Sequence, residues 1–271
     1  MMRILFVATL ALLWGCDTRV EPFQESGYHF SFGGVIDASL DTQFVRVNPL
    51  REQATVPREP YDVVVSSINL ESGEQAVWRD SVFVLQGGTF AHNFWTTERF
   101  QVGGTYRFEA RWPDGREAYA EVVMPDSAQV VVQTIPFDPV ATVNVLGAEK
   151  LADLKILYCG RLPGTPLDRI SVSLIEQVSK FSGGYTVRVN PFALAEERGI
   201  ESVQWIRVVA ISAGSEWPDF AGVDQETLAL PRVYSNVEYG VGYLGAVAST
   251  TISWPGFAPQ DPACRNLLSR W

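Results

Sequence analysis

The stretch TYRFEARWPDGREAYAEVVM, residues 105–124, carries the clearest signal of the fold in this chain. Apolar and polar side chains alternate on both sides of the turn-forming sequence Pro113-Asp114-Gly115. Successive side chains of a strand point to opposite faces, so each arm has one apolar face and one polar face. The stretch therefore predicts a β-hairpin with one buried face. The predicted inward positions are Tyr106, Phe108, Ala110, Trp112, Ala118, Ala120, Val122 and Met124.

The same kind of signal recurs along the rest of the chain. A second hairpin is predicted where DVVVSSINL (62–70) is followed by QAVWRDSVFVL (75–85), with Gly73 supplying the turn. Many short strands separated by Gly and Pro indicate an all-β protein built from sandwiches. The other predicted strands lie in YHFSFGGVIDA, TQFVRVNPL, ATVNVLGA, LADLKILYCG, RISVSLIEQV, GGYTVRVN, VQWIRVVAIS and AVASTTISW.

A domain boundary is predicted in MPDSAQVVVQTIPFDP, residues 124–139, where three prolines bracket an apolar run. We therefore expect two β-sandwich domains, residues 27–125 and 126–271. The Cys-Trp-Cys spacing of antibody domains is absent from the sequence, so "immunoglobulin-like" describes only the architecture. The second domain should contain one short helix, capped by Asn190 and ended by Gly199.

The first fifteen residues predict an export signal. Arg3 precedes an apolar run from Ile4 to Leu13, which as a helix would be only about 15 Å long. Crossing the hydrocarbon core of a membrane takes about 20 apolar residues. A basic start, a short apolar middle and a small residue at the end are typical of a signal peptide, which we assign to residues 1–15.

The end of this segment, Leu13-Trp14-Gly15-Cys16, resembles a bacterial lipobox. In such sequences the cysteine thiol receives a diacylglyceryl group, and cleavage makes that cysteine the new N-terminus. The resemblance implies lipid attachment at Cys16 and a polar tether over residues 16–26. Trp14 departs from the pattern, in which a small residue is usual. The alternative is an ordinary secretory signal that contains a buried cysteine.

The lipobox implies a location in the cell envelope, with the protein anchored to a bacterial membrane and facing the periplasm or the cell surface. Asp17 resembles the inner-membrane retention signal of enterobacteria, but that rule does not extend to all Gram-negative lineages. We expect the outer membrane. Cys159 and Cys264 would then meet an oxidising compartment, which favours one disulfide over two separate buried thiols.

Composition excludes several classes of function. With 46% hydrophobic and 19% charged residues, the chain is expected to be globular rather than disordered. A formal net charge of −10 opposes binding to a phosphate backbone, so we expect no nucleic-acid partner. The two histidines, His29 and His92, are far apart in the sequence, and no metal site or other cofactor is expected.

Catalysis has little support in the sequence. There is no G-x-S-x-G nucleophile motif. His92 beside Asn93 could act as a base with an orienting amide, but we favour a half-buried histidine packed among aromatic residues. The alternative function is an envelope hydrolase that cleaves glycan or peptide through a carboxylate pair, which sequence spacing cannot locate.

Three stretches resemble a family of two-domain, β-rich envelope lipoproteins of Gram-negative bacteria, which is known as a domain of unknown function. They are DTQFVRVNPL (41–50), TTERFQVGGTYRFEARWPDGREAYAEVVMP (96–125) and SNVEYGVGYLGAVASTTISW (235–254). Members of such families often resemble accessory proteins of TonB-dependent outer-membrane transporters or of surface assemblies. The resemblance implies a non-catalytic binding, accessory or scaffolding role and defines no functional residues.

The sequence also offers one candidate binding surface, RVYSNVEYGVGYLG, whose partner we expect to be an envelope protein or a glycan. Tyrosine combines a large apolar ring with a polar tip, which suits a wet contact surface. Neighbouring glycines would allow a partner to approach closely. The alternative is that these residues fill the core or line a junction between the domains. The candidate residues are Tyr234, Asn236, Tyr239 and Tyr243.

Overall fold

The structure is a computed structural model that describes residues 27–50, 58–84, 88, 90–214, 216–218, 234–256 and 264. The described chain is all-β, as predicted, and includes the α-helix α1 (Pro191–Glu197). None of its helices has the length and apolar character needed to cross a membrane. The strands are β1 (Phe30–Asp37), β2 (Gln43–Pro49), β3 (Val64–Asn69), β4 (Gln75–Val77), β5 (Arg79–Val84), β6 (Phe90–Thr96), β7 (Thr105–Arg111), β8 (Glu117–Val123), β9 (Gln129–Gln133), β10 (Ala141–Leu146), β11 (Lys150–Arg161), β12 (Asp168–Ser173), β13 (Ser179–Phe181), β14 (Gly184–Val189), β15 (Glu201–Ala213), β16 (Val237–Glu238) and β17 (Gly240–Ser253).

The hairpin at residues 105–124 forms as predicted. β7 and β8 pair in antiparallel register from Thr105 opposite Val123 to Arg111 opposite Glu117. Seven of the eight predicted inward side chains are buried, and Trp112 is half-buried. The alternating pattern therefore identifies the core face of this hairpin correctly.

The largest sheet joins the two predicted domains. Its eight strands lie in the order β12-β11-β15-β17-β1-β2-β6-β5, which combines strands from both sides of residue 125. At its centre β1 runs parallel to β17, from Phe30 beside Gly240 to Asp37 beside Val247. The sequence did not predict this shared sheet.

Two smaller sheets cover one face of the large sheet. A five-stranded sheet, β16-β8-β7-β3-β4, encloses the first hydrophobic core, and a four-stranded sheet, β13-β14-β10-β9, encloses the second. The first core also contains Val237, Leu244 and Ala246 from the C-terminal part of the chain. The predicted boundary near residue 125 thus falls between two cores that share one wall.

The stretch QAVWRDSVFVL forms two strands in two sheets, whereas a single strand was predicted. β4 pairs with β3 in the five-stranded sheet, and β5 pairs with β6 in the large sheet. Trp78 lies at the change of sheet, where it is buried in the first core and donates its indole N–H to Ser67 Oγ at 3.0 Å. Burial of this large ring explains why the chain crosses between sheets here.

The predicted helix also forms, with the predicted ends. The Asn190 side chain accepts hydrogen bonds from the backbone N–H groups of Phe192 and Ala193 at 3.1 and 3.2 Å. Gly199 has a φ of +65°, a conformation that favours glycine after a helix. The helix packs on the second core through Leu194 and Ala195.

Candidate binding surface

The large sheet has a face opposite the two cores, which we call the outer face. Because side chains alternate along each strand, the outer face carries the odd-numbered positions from Asp153 to Cys159 of β11, from Trp205 to Ala213 of β15, and of β17. Gly33 and Val35 of β1 lie on the same face. Other parts of the chain cover one end and the middle of the outer face more than the other end. The less covered end is therefore the part that a partner could reach.

One end of the outer face is covered around a disulfide. Cys159 on β11 is bonded to Cys264, with Cα atoms 5.9 Å apart, within the usual range for a disulfide. Both cysteines are buried with Trp205, which lies opposite Cys159 on β15. The predicted bridge is therefore present, and it holds Cys264 against the sheet.

The middle of the outer face is partly covered by Trp217. Its ring contacts that of Tyr243, with centroids 6.1 Å apart, and Lys150 Nζ donates to its carbonyl oxygen at 2.6 Å. Burial, with a smaller contribution from Glu216, raises the pKa of Tyr243 to about 12. The Tyr243 hydroxyl therefore stays protonated to a higher pH than that of an exposed tyrosine.

The four predicted surface residues lie in different surroundings. Tyr239 is 55% exposed and its ring contacts that of Tyr119, whereas Tyr234 and Tyr243 are half-buried. The Asn236 amide binds the backbone of Leu244 twice, donating to its carbonyl at 2.7 Å and accepting from its N–H at 3.0 Å. Asn236 therefore fixes the chain before β16 to β17.

The glycines of the same stretch admit a neighbouring strand of this protein. A Cβ on Gly240 would lie 2.6 Å from the Phe30 carbonyl oxygen, and one on Gly242 would lie 2.0 Å from that of Phe32. Both carbonyls belong to β1. At these two positions the glycines therefore allow close packing of β17 against β1 rather than the approach of a partner.

The other end of the outer face carries an exposed row of apolar and aromatic side chains, which we call the aromatic row. Phe44 on β2 lies opposite Trp95 on β6, and Trp95 lies opposite Arg79 on β5. Gly34 on β1 lies opposite Val45, so Val35, the next residue, continues the row beside Phe44. Phe44 is 49% exposed and Val35 46% exposed, while Trp95 is half-buried and its ring lies 5.2 Å from the Arg79 guanidinium carbon.

A second row, the polar row, runs beside the aromatic row. Arg46 lies opposite Gly33, and its Nε donates to Asn93 Oδ1 at 3.3 Å. Asn93 in turn lies opposite Ser81. We call the two rows together the open face. An aromatic strip beside hydrogen-bonding side chains is the composition expected of a recognition surface.

Arg46 and Arg79 have no carboxylate partner among the described residues. This distinguishes them from four other arginines, which pair with acids at exposed positions on a chain of net charge −10. The open face is therefore a locally cationic area on an anionic protein. The paired arginines and their partners are Arg99 with Asp41, Arg107 with Glu121, Arg111 with Glu117, and Arg116 with Asp114.

Sequence reasoning missed the open face, although a signal was present. In TQFVRVNPL, Phe44 is two residues from Arg46 and so lies on the same face of the strand. In FAHNFWT, Trp95 lies on the same face as Asn93. These are the polar sides of half-buried strands, where an aromatic residue is out of place in a simple alternating pattern. Register between strands was also needed, since it places Phe44 beside Trp95.

A hydrolase that uses a carboxylate pair would need a cavity lined by two acids. A cavity of about 340 Å³ at the β3–β4 edge has such a lining. Glu74 and Glu98 are the two acids in its lining, and both side chains are exposed. A catalytic acid of a glycosidase is typically held in a water-poor pocket that keeps it protonated. The lining therefore provides two acids but not the burial that would activate one of them.

His92 packs against an aromatic ring, as expected, but it is more deeply buried than predicted. It is fully buried rather than half-buried, it packs 4.0 Å from the Tyr61 ring, and its Nδ1 lies 2.9 Å from Asp80 Oδ2. Asn93, the proposed orienting amide, points to the opposite face of the strand. The pair cannot work together as a base and its orienter.

No cluster of three or more metal-ligating side chains occurs within the described ranges. Cys16, Asp17 and the tether lie outside the described residues. The location implied by the lipobox therefore stays a prediction.

Comparisons with known proteins give little more. No protein-family model matches the sequence, and no curated protein matches it. Among solved structures, a cytokine receptor complex is similar over 86% of this chain and 100% of its own chain, with 14% identity and a TM-score of 0.28. A similarity at that TM-score supports no conclusion about fold or function.

Proposed function

We propose that this protein is a non-catalytic binding protein of the bacterial cell envelope, held at a membrane by a lipid on Cys16. Its partner would be an envelope molecule bound by the open face, and an accessory role beside an outer-membrane transporter fits this arrangement. The observation that carries the proposal is the open face itself. Phe44 and Trp95 are adjacent there, and Arg46 and Arg79 lack acidic partners among the described residues.

The physical argument concerns desolvation. Leaving Phe44 and Val35 about half exposed on a well-packed sheet gains nothing for folding, since exposed apolar area contributes no hydrophobic stabilisation. A partner that covers these side chains would remove that area from water. Aromatic residues and arginine are also the residue types that contribute most to binding at interfaces.

Replacing Cys16 with serine tests the proposed anchor. Serine has no thiol to receive the lipid, so we expect the protein to leave the membrane fraction or to accumulate as an uncleaved precursor. Cell fractionation with immunoblotting measures the distribution, and mass spectrometry of the mature N-terminus identifies the lipid. A mature, unmodified Cys16 in the wild-type protein would refute the anchor and leave the open face unaffected.

Photo-crosslinking in intact cells tests the proposed surface. A photoreactive phenylalanine analogue at position 44 should give adducts that are absent when the analogue replaces Phe181. Phe181 is a matched control because it is a strand residue of similar exposure, 41% against 49%, in a different sheet. Equal adduct yields at the two positions would show that the open face does not bind a specific partner in cells.

A further inference from the structure

We propose that the open face binds an anionic polysaccharide, with sugar rings stacked on the aromatic row and acidic groups bound by Arg46 and Arg79. This inference rests on the proposed binding function and names its ligand. Three features of the open face support it: its shape, the groups it offers, and its charge.

The shape suits a ligand that lies flat across the strands. Adjacent strands are about 4.8 Å apart, so the aromatic row from Val35 to Arg79 spans roughly 14 Å over four strands. The polar row runs parallel to it, two residues further along each strand, at about 6.7 Å. A chain of two or three sugar rings could therefore contact both rows at once.

The groups on the open face match a sugar better than an extended peptide. A sugar ring has an apolar C–H face, which packs on an aromatic ring, and an edge of hydroxyls, which can bind Asn93, Ser81 and Arg46. A peptide strand needs partners for its own N–H and C=O groups. On this face the backbone groups of the central strands β1, β2 and β6 are already used in the sheet ladder.

The charge selects an anionic sugar. A guanidinium presents its N–H groups in a fork that matches a carboxylate or phosphate. Among the described residues, Arg46 donates only from its Nε, to Asn93. Arg79 covers part of the Trp95 indole. A sugar ring that stacks on Phe44 and on the uncovered part of the indole would therefore place an acidic substituent near the guanidinium. Because the whole chain is anionic, binding of a polyanion has to depend on these two local positive charges.

Binding of defined polymers to the detergent-solubilised full-length protein tests the inference. The anionic probes are polygalacturonate and phosphomannan, the neutral probe is dextran, and poly-L-glutamate is an anionic polymer without sugar rings. We expect measurable binding of at least one anionic polysaccharide by affinity electrophoresis or calorimetry. Dextran and poly-L-glutamate should bind at least tenfold more weakly.

Two double variants locate the site. Phe44→Ala with Trp95→Ala should raise the Kd at least tenfold by removing the stacking surface. Arg46→Gln with Arg79→Gln should raise it at least tenfold and also remove most of its dependence on salt concentration. Phe181→Ala and Arg188→Gln are controls, since they remove an exposed aromatic ring and an exposed charge from the four-stranded sheet.

Each remaining outcome overturns the inference in a recognisable way. Equal binding of poly-L-glutamate and polygalacturonate would mean attraction by charge alone. Binding that both double variants leave unchanged would place the site elsewhere. If neither anionic polysaccharide binds but residue 44 crosslinks to a protein in cells, the inference fails while the proposed binding function stands.

Discussion

Removing the Cys159–Cys264 disulfide is expected to lower the free energy of unfolding by up to about 4.7 kcal/mol. The bridge closes a loop of 105 residues, and in the chain-entropy model a cross-link over about 100 residues restricts the unfolded chain by that amount. At about 2–4 °C per kcal/mol for a protein of this size, the melting temperature should fall by up to roughly 9–19 °C. Thermal and denaturant unfolding of Cys159→Ala with Cys264→Ala measure both quantities.

Reduction provides the control for the disulfide experiment. A reductant should destabilise the wild-type protein by most of the same amount and leave the double variant unchanged, because only the wild type has a bond to lose. A wild-type melting temperature that does not change on reduction would contradict the argument.

The disulfide illustrates what the sequence could predict. If Cys16 carries the lipid, Cys159 and Cys264 are the two cysteines that remain. Their pairing can therefore be predicted without knowing the distance between them. The hairpin at residues 105–124 and the helix cap at Asn190 are equally local, because alternation, turn residues and capping act within a few positions. These elements have the predicted positions in the structure.

The features that escaped prediction depend on contacts between distant segments. The register of β1 with β17 pairs residues more than 200 positions apart, and the local pattern of either strand is compatible with many partners. The chain passes from one sheet to the other at Trp78 because both sheets contribute to the first core. The pattern of neighbouring residues in the sequence does not predict this change. The open face has the same origin, since it exists only when four strands are in register.

Gly242→Ala is expected to destabilise the protein by about 2–6 kcal/mol, because it disrupts the junction between β1 and β17, which joins the two halves of the chain. Gly242 has a φ of +101°, where a side chain adds about 1–3 kcal/mol of strain. The added Cβ would also lie 2.0 Å from the Phe32 carbonyl oxygen, which forces β1 and β17 apart. Such a forced shift in a packed region costs about a further 1–3 kcal/mol.

Gly33→Ala is the matched control for Gly242→Ala. Gly33 lies on β1, in the same parallel pair, opposite Tyr243, but its backbone has no positive φ and an added Cβ meets no atom within 4 Å. Its substitution should therefore change stability by less than about 1 kcal/mol, since alanine only restricts the unfolded chain.

Denaturant unfolding of the two glycine variants measures the difference. Hydrogen exchange adds a local measurement, because the amides of β1 and β17 should exchange faster in Gly242→Ala and not in Gly33→Ala. If Gly242→Ala is too unstable to purify while Gly33→Ala is obtained in normal yield, the difference in soluble yield gives the same answer. Equal stabilities and equal exchange in the two variants would show that β1 and β17 are not packed in this register, and the open face built on that sheet would lose its support at Gly33 and Val35.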